Sequence, residues 1–346
     1  MPQVRQVDHD ALIRILFGSS AFQLLHTGHE LGLFSLLATE SGLTGERVAE
    51  LLELQPRAAR TLLLGTTALG LTVRVDGRYY NAPLIGDMIA DGSWEIIGDI
   101  IEFESRITVP ASVDLTPALQ QNTNVGLRRI DGEGDDLYHR IASQPVLKGL
   151  FYRCMSSWSR LANPVLVDRA DLRGVRRILD VGGGDAVNSI ALAHANPGPS
   201  FTVVDLPSAL DFARKNIAEK GLEDRIVVHP GDIFTDDYPG GHDCVLFANQ
   251  LVIWSPEENQ TLLGKAYECL PLGGQVLIFN AFSHDTGDGP LYAALDNVYF
   301  ATLPAPNSTI YHWGEYEEWL ADVGFQRTER LPGNTWTPHG VLRAWK

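Results

Sequence analysis

The chain has 346 residues, too many for one typical domain, and 45% of them are hydrophobic, enough for ordinary packed cores. With 43 acidic against 27 basic residues its formal charge is −16, a balance that repels phosphate backbones and anionic lipid and so argues against a nucleic-acid or membrane-surface role. No apolar run reaches the roughly 18 residues of a membrane span, and the opening MPQVRQVDHD lacks the basic-then-apolar layout of an export signal, so a cytoplasmic protein is expected.

From Asp10 to Ala38 the apolar residues Leu12, Ile15, Leu16, Leu24, Leu25, Leu31 and Leu36 recur at helical spacing, interrupted by Gly18 and Gly32, and predict two helices. Thr44 is placed to cap a third that runs through Val48 and Leu52. A further helix spans Ala58 to Leu69. Leu71 to Val75 alternates as a strand, and Asp76-Gly77 is a strong hairpin turn into Arg78-Tyr79-Tyr80. Short helices followed by a hairpin have the layout of a winged helix. The helix in the recognition position carries Arg57 and Arg60 among Ala, Leu, Thr and Gly, which suits packing against protein better than insertion into a DNA groove.

Residues 95 to 170 read as helical and connective, with a polar, mobile stretch near Gln120 to Asp136. Beyond Arg176 the pattern changes to short apolar strands alternating with helices. The strands are Arg177 to Val181, Phe201 to Asp205, Ile226 to Val228, Cys244 to Phe247 and Gly274 to Phe279; helices include Asn188 to His194, Ala209 to Lys220 and Glu257 to Cys269. This alternation predicts an α/β, Rossmann-like doubly wound sheet whose ligand sits at the carboxyl ends of the strands. The domains are therefore expected at 1–100, 101–170 and 171–346. Cys154, Cys244 and Cys269 are far apart without CxxC spacing, and the histidines form no HxH or HxxxH pair, so neither disulfides nor a metal site is expected.

The sharpest local signal is Asp180-Val181-Gly182-Gly183-Gly184-Asp185-Ala186, directly after the first strand of the α/β region. Glycines there permit a tight turn and close backbone approach, and the following helix start offers free N–H groups. Asp205 ends the next strand, where a carboxylate can accept both hydroxyl protons of a ribose. Asp232 follows the third strand, placed to accept from an adenine amino group with Ile233 or Phe234 against the ring. The dinucleotide fingerprint would require a third glycine three residues after the second; here the run leads into Asp185-Ala186-Val187, which disfavours NAD.

Together with the VVDLP run (Val203 to Pro207), GDIF (Gly231 to Phe234), Trp254-Ser255 before Glu257-Glu258, Leu272-Gly273-Gly274 and Ala321 to Phe325, this turn resembles the S-adenosylmethionine-dependent O-methyltransferases of the plant caffeic-acid type and their bacterial natural-product relatives. The N-terminal ELGLF (Glu30 to Phe34) and LTGERVAELL segments resemble that family's dimerisation domain. The resemblance implies a homodimer through the N-terminal domain, S-adenosylmethionine as cofactor and a small aromatic acceptor. It also implies cofactor contacts from Asp180, Gly182, Gly183, Gly184, Asp205, Leu206, Asp232, Ile233, Phe234, Asn249 and Ser159. Relatives often have glycine where Ala186 stands.

In those relatives a histidine in an LHDW-like segment is the base. Here the segment reads Asn249-Gln250-Leu251-Val252-Ile253-Trp254, so Val252 occupies its place, and the two supporting acids correspond to Asn280 and roughly Ile310. Methyl transfer needs little acid–base help beyond alignment, but a phenol of pKa about 10 must lose its proton to become a good nucleophile. Three routes stay open: a base supplied by another residue, methylation of a ring carbon or a nitrogen, or a cofactor retained without methyl transfer, as in a hydroxylase-like enzyme or a cyclase. The favoured expectation is C- or O-methylation of a phenolic compound in natural-product biosynthesis, with His139, Asp296 and His312 as candidate bases. A ligand-sensing winged-helix regulator is the remaining alternative. Phe151, Met155 and Trp158 fall at i, i+4 and i+7 on one helix face and can sandwich an aromatic ring. Arg153, Val252 and Tyr299 complete the expected acceptor contacts.

Overall fold

The computed structural model describes residues 7–346; the reading of the first six residues as free of an export signal lies outside the described residues. The chain divides after Ser105 into two units.

In the first unit, helices α1 (His9–Leu16), α2 (Gly18–Glu30) and α3 (Leu33–Thr39) are followed by β1 (Leu43–Thr44), α4 (Gly45–Leu51), α5 (Pro56–Ala68), β2 (Thr72–Val75), β3 (Arg78–Asn81), α6 (Pro83–Ala90) and α7 (Ser93–Phe103). The stretch expected to hold two helices holds three, because the chain breaks both before Gly18 and at Gly32, which takes a left-handed φ of 75°. Thr44 accepts the Arg47 N–H at 3.3 Å and starts α4 as its sequence predicts. Asp76 and Gly77 both have positive φ, the requirement of a two-residue hairpin turn matched to strand twist, and the small antiparallel sheet runs β1-β3-β2. Leu12, Ile13, Ile15 and Leu16 of α1 are exposed.

The second unit begins with a helical layer: α8 (Val109–Ser112), α9 (Leu115–Gln121), α10 (Leu137–Ala142) and the 25-residue α11 (Pro145–Arg169). The polar stretch from Gln120 to Asp136, expected to be mobile, is tied down: the guanidinium groups of Arg128 and Arg129 both grip the buried Asp114 carboxylate, and Asn124 donates to the Asp135 and Leu303 carbonyls. Then come β4 (Arg177–Val181), α12 (Val187–Ala195), β5 (Ser200–Asp205), α13 (Pro207–Glu219), β6 (Ile226–Pro230), β7 (Cys244–Ala248), α14 (Pro256–Cys269), β8 (Gln275–Ala281), α15 (Leu291–Thr302), α16 (Trp313–Val323), β9 (Arg327–Pro332) and β10 (His339–Trp345).

These strands form one seven-stranded mixed sheet in the order β6-β5-β4-β7-β8-β10-β9. The first five are parallel, at the five places where the sequence predicts strands. Every residue of β7 and β8 is buried, as in strands covered on both faces. The sequence pattern did not point to β9 and β10, which close one edge antiparallel and make the sheet mixed. Gly340 is needed where β10 enters, since a Cβ there would fall 2.6 Å from the Trp313 ring, itself stacked 3.7 Å from Phe282. The chain runs β4-β5-β6 in one direction and then returns to lay β7 and β8 on the other side of β4. The reversal point is therefore between β4 and β7, where open α/β sheets leave a crevice for ligands.

Candidate active site

The glycine turn lies at this crevice. Gly182, Gly184 and Ala186 all take left-handed φ, at 69°, 56° and 67°. Gly182 packs across the crevice: a Cβ on it would stand 2.6 Å from the side chain of Gln250, which follows β7. A Cβ on Gly183 would stand 2.7 Å from the Asp180 carboxyl carbon. Beside Gly184 there is open space, and its N–H donates to Asp205 Oδ2 at 2.8 Å while the Leu206 N–H donates to Oδ1 at 2.7 Å. Burial raises the Asp205 pKa, and these two donors oppose the rise.

Asp180 is fully buried beneath the turn, where the Ser189 hydroxyl donates to its Oδ2 at 2.6 Å. Burial pushes its carboxyl up to about 7. Among the described residues its Oδ1 has no hydrogen-bond partner, and neither do the buried Oδ1 atoms of Asn188, at the start of α12, and Asn163, on the facing stretch of α11. Three acceptor atoms without donors around one turn suit a ligand that brings ammonium and hydroxyl groups.

A cavity of about 400 Å³ opens from Gly182, Gly184 and Asp205 toward α10 and α11. One wall is Ile233 and Phe234, with Phe234 edge-on to Trp254 at 4.9 Å. Asp232 also reaches the cavity, its Oδ1 accepting the Phe234 and Thr235 N–H groups at 2.8 and 3.2 Å. The opposite wall is aromatic: Tyr138 meets Phe151 edge-on at 5.5 Å, and Tyr152 stacks on Phe212 at 4.9 Å. Burial raises the pKa of Tyr138 and Tyr152. His139 lines the same cavity, its Nδ1 2.7 Å from Asp136 Oδ2 and its backbone N–H bonded to Oδ1 of that residue.

A second aromatic cluster forms where α11, α15 and the β9–β10 connection meet. Tyr292 is its centre, with ring centroids 5.5 Å from Trp158, 6.1 Å from Trp336 and 6.5 Å from His339. One turn along α15, Asp296 is hydrogen-bonded to Tyr292, and burial pushes its carboxyl up to about 7. His339, 7% exposed at the start of β10, is pushed down to about 4 by burial and leaves Nδ1 without a hydrogen-bond partner.

Seven of the eleven expected cofactor residues line the cavity: Gly182, Gly184, Asp205, Leu206, Asp232, Ile233 and Phe234. Asp180 and Gly183 stand behind them as supports. Asn249, at a left-handed φ of 55°, turns the chain after β7 through its N–H to the Phe279 carbonyl, and Ser159 is buried in α11; neither lines the cavity, whereas Gln250 does. Phe151 reaches the cavity and Trp158 the second cluster, with Met155 between them on the same helix face and Arg153 exposed. Tyr299 is buried against Phe300.

Val252 is buried, its carbonyl accepting the Thr309 N–H. Asn280 donates to the Tyr316 hydroxyl at 3.0 Å, and Ile310 is held through its N–H by Asn297. Of the candidate bases, His139 faces the cavity and Asp296 the second cluster. His312 caps α16, its Nδ1 accepting the Glu315 N–H at 3.2 Å, and is not among the residues around either. Tyr292, Trp336 and His339 escaped the sequence reading because two lie beyond the last recognised motif; the i, i+4 spacing of Tyr292 and Asp296 was the one available signal. Among the described residues no group of three or more His, Cys, Asp or Glu side chains is placed to hold a metal, and no helix is long and apolar enough to cross a membrane.

Residues 114–326 match the family model for an O-methyltransferase domain. The chain is 49% identical over 342 residues to the L-tyrosine C(3)-methyltransferase of Streptomyces lavendulae, covering 98% of this chain and 93% of that protein. It is 33% identical to the 3-hydroxy-5-methyl-1-naphthoate 3-O-methyltransferase of Streptomyces sahachiroi, covering 92% and 91%. The crystal structure of the S-adenosylmethionine-dependent methyltransferase SibL in its apo form superposes with a TM-score of 0.89 at 52% identity, covering 98% and 99% of the two chains.

Proposed function

Since the chain belongs to the O-methyltransferase family and is a methyltransferase that uses S-adenosylmethionine, we propose that it methylates the ring carbon next to the hydroxyl of a small phenolic amino acid of the tyrosine class. When bound, the cofactor supplies an electrophilic methyl group on a sulfonium. The residues fit that group. Asp205 is placed for ribose hydroxyls, Ile233 and Phe234 for the adenine faces and Asp232 for the adenine amino group, while the turn from Gly182 to Gly184 and the donor-free acceptor atoms behind it suit the methionine end.

The cluster of Trp158, Tyr292 and Trp336, with Asp296 bonded to Tyr292, carries the acceptor assignment. Aromatic faces hold a phenol ring, and a carboxyl that titrates near neutrality is matched to take a phenolic proton at working pH. Val252 offers no lone pair where the family's histidine base is expected, which removes the group that would serve the oxygen in ordinary O-methylation. A phenolate spreads its charge onto the ortho carbon, so aiming that atom at the methyl group favours carbon. The 49% identical relative named for a tyrosine C-methylation supports the same choice. Arg153 is the anchor for an acceptor carboxylate in this reading.

A second reading gives the base role to His139, an exposed residue at the cavity's edge, favoured by its pairing with Asp136. On the same proposal, residues 1–100 form a winged-helix-like dimerisation domain whose exposed apolar α1 meets a second copy, 101–170 contribute to the acceptor site, 171–346 hold the cofactor, and the enzyme works in the cytoplasm.

The test is incubation of the purified protein with L-tyrosine and S-adenosylmethionine carrying a ¹³C methyl group. The expected product gains one CH₂, with the label bonded to the ring carbon beside the hydroxyl. Label on oxygen or nitrogen, or no labelled product, sinks the carbon assignment.

A further inference from the structure

Methylation at a ring carbon requires one more proton transfer than methylation at oxygen. The phenol oxygen first gives up its proton. The ortho carbon then forms the new C–C bond with a ring electron pair, and the broken C–S pair stays on sulfur. That carbon now bears both the methyl group and its original hydrogen. The hydrogen must leave as a proton, its C–H pair returning to the ring, and the oxygen regains a proton; one proton is released overall. Two proton acceptors are needed, one at the oxygen and one at the neighbouring carbon.

The second cluster holds two titratable groups that both neighbour Tyr292. Asp296 is bonded to that residue along α15, and the His339 imidazole lies 6.5 Å from its ring, contributed by β10. His339 is an unusual residue to bury: it is 7% exposed, packs on Phe279 at 5.3 Å, and has a ring nitrogen with no hydrogen-bond partner among the described residues. An unpaired polar atom in such a place is costly to bury unless a ligand uses the group. Sheet register puts His339 opposite Ala281 at the carboxyl end of β8, the edge on which the cofactor crevice also opens.

We propose that His339 is the catalytic base that removes the ring proton after methylation. The proposal rests on the carbon-methylation reading above. Burial keeps the imidazole neutral, with a free lone pair, throughout the neutral range. A weak base suffices at this step, because loss of the proton restores the aromatic ring. The phenolic proton, bound more tightly, is left to the stronger base already described. Pairs of groups whose surroundings push their titration apart are the usual sign of such divided labour.

The test uses the full-length enzyme with S-adenosylmethionine and L-tyrosine, either unlabelled or deuterated at both ring positions beside the hydroxyl. In H339Q the single-turnover rate of ring-methylated product is expected to fall about 100-fold or more, and deuteration is expected to slow the variant more than the wild type. Calorimetric binding of L-tyrosine to the complex with S-adenosylhomocysteine should stay within about threefold of wild type. A slowed variant whose deuterium effect equals the wild-type value, or whose tyrosine binding is lost in parallel, reduces His339 to packing and overturns the proposal. A crystal structure of wild type with S-adenosylhomocysteine and L-tyrosine decides the matter without any variant. An imidazole nitrogen within about 3.5 Å of the ortho carbon is expected, and separation by an intervening side chain refutes it. Wild type that does not methylate the tyrosine ring at carbon sinks the parent reading, whereas ring methylation with an unchanged deuterium effect in H339Q sinks only the role of His339.

Discussion

Gly184 gives its amide hydrogen to the Asp205 carboxylate at 2.8 Å, so the acid that ends β5 is bonded to the turn that ends β4. One carboxylate thereby ties the turn to the end of β5, and on the proposed function its remaining acceptor capacity goes to a ribose. Asp205→Ala is expected to weaken S-adenosylmethionine and S-adenosylhomocysteine binding by about 1–3 kcal/mol through lost charge-assisted hydrogen bonds. Titration calorimetry measures it, and equal affinities for variant and wild type would remove the ribose contact.

The three glycines of the turn should not respond alike to alanine. At Gly183 the new methyl group would press on the Asp180 carboxyl and on Val203, 2.7 and 2.9 Å away inside a closed core, and a loss of about 1–3 kcal/mol in unfolding free energy is expected. At Gly184 there is space, so Gly184→Ala should cost only the left-handed backbone, about 1–2 kcal/mol. Denaturant unfolding gives the order, and Gly184→Ala proving the more damaging of the two would contradict it.

Asp296 sets a pH dependence with a definite sign. Its folded-state pKa, lifted to about 7 by burial, exceeds the unfolded value, so its favourable contribution is complete below pH 4 and is lost as pH rises through 7. Asp296→Asn does not titrate. The stability advantage of the variant over wild type should therefore widen from pH 4 and level off above pH 7, reaching on the order of 2–4 kcal/mol. Catalysis should move the opposite way, the wild-type rate rising as the carboxylate forms near pH 7 and Asp296→Asn losing that rise. A stability gap independent of pH would show that the carboxyl is solvated.

Placing the family's histidine back at Val252 should not restore O-methylation. Val252 is buried, Asn280 carries an amide in place of an acid and Ile310 has no acid to offer, so a new imidazole would lack an orienting carboxylate. Val252→His is expected to lose about 1–3 kcal/mol of stability through overpacking and an unpaired polar group, with no O-methylated tyrosine detectable by mass spectrometry. Appearance of that product would show that position 252 alone decides which atom reacts.

The parallel half of the sheet was legible because each strand there is a short apolar run followed by a turn residue with a chemical reason to be present. Asp180, Asp205 and Asp232 could be read as strand-end groups before any coordinates. The antiparallel edge was not legible: β9 mixes exposed and half-buried residues, of which Glu329 and Arg330 pair as ions with Arg343 and Glu317 and Arg327 lies over the Trp345 ring, all neighbours distant in sequence. His339 followed from no local rule, since its place in the aromatic cluster arises from the chain returning beside β8. Ala186 illustrates a subtler gap. Sequence indicates a small residue where relatives favour glycine, but only the backbone shows an alanine at φ 67° with its methyl group fully buried. The conformational cost and the buried methyl nearly offset one another, at about 1 kcal/mol each.

Helix α11 puts Phe151 in the cofactor cavity and Trp158 in the aromatic cluster, seven residues and about 10 Å apart along one rigid axis. That stretch acts as a ruler. Adding or deleting a single residue within it would swing Trp158 by about 100° around the axis while Phe151 stayed in place. The two rings keep their present spacing and common face only while the interval from 151 to 158 keeps its length.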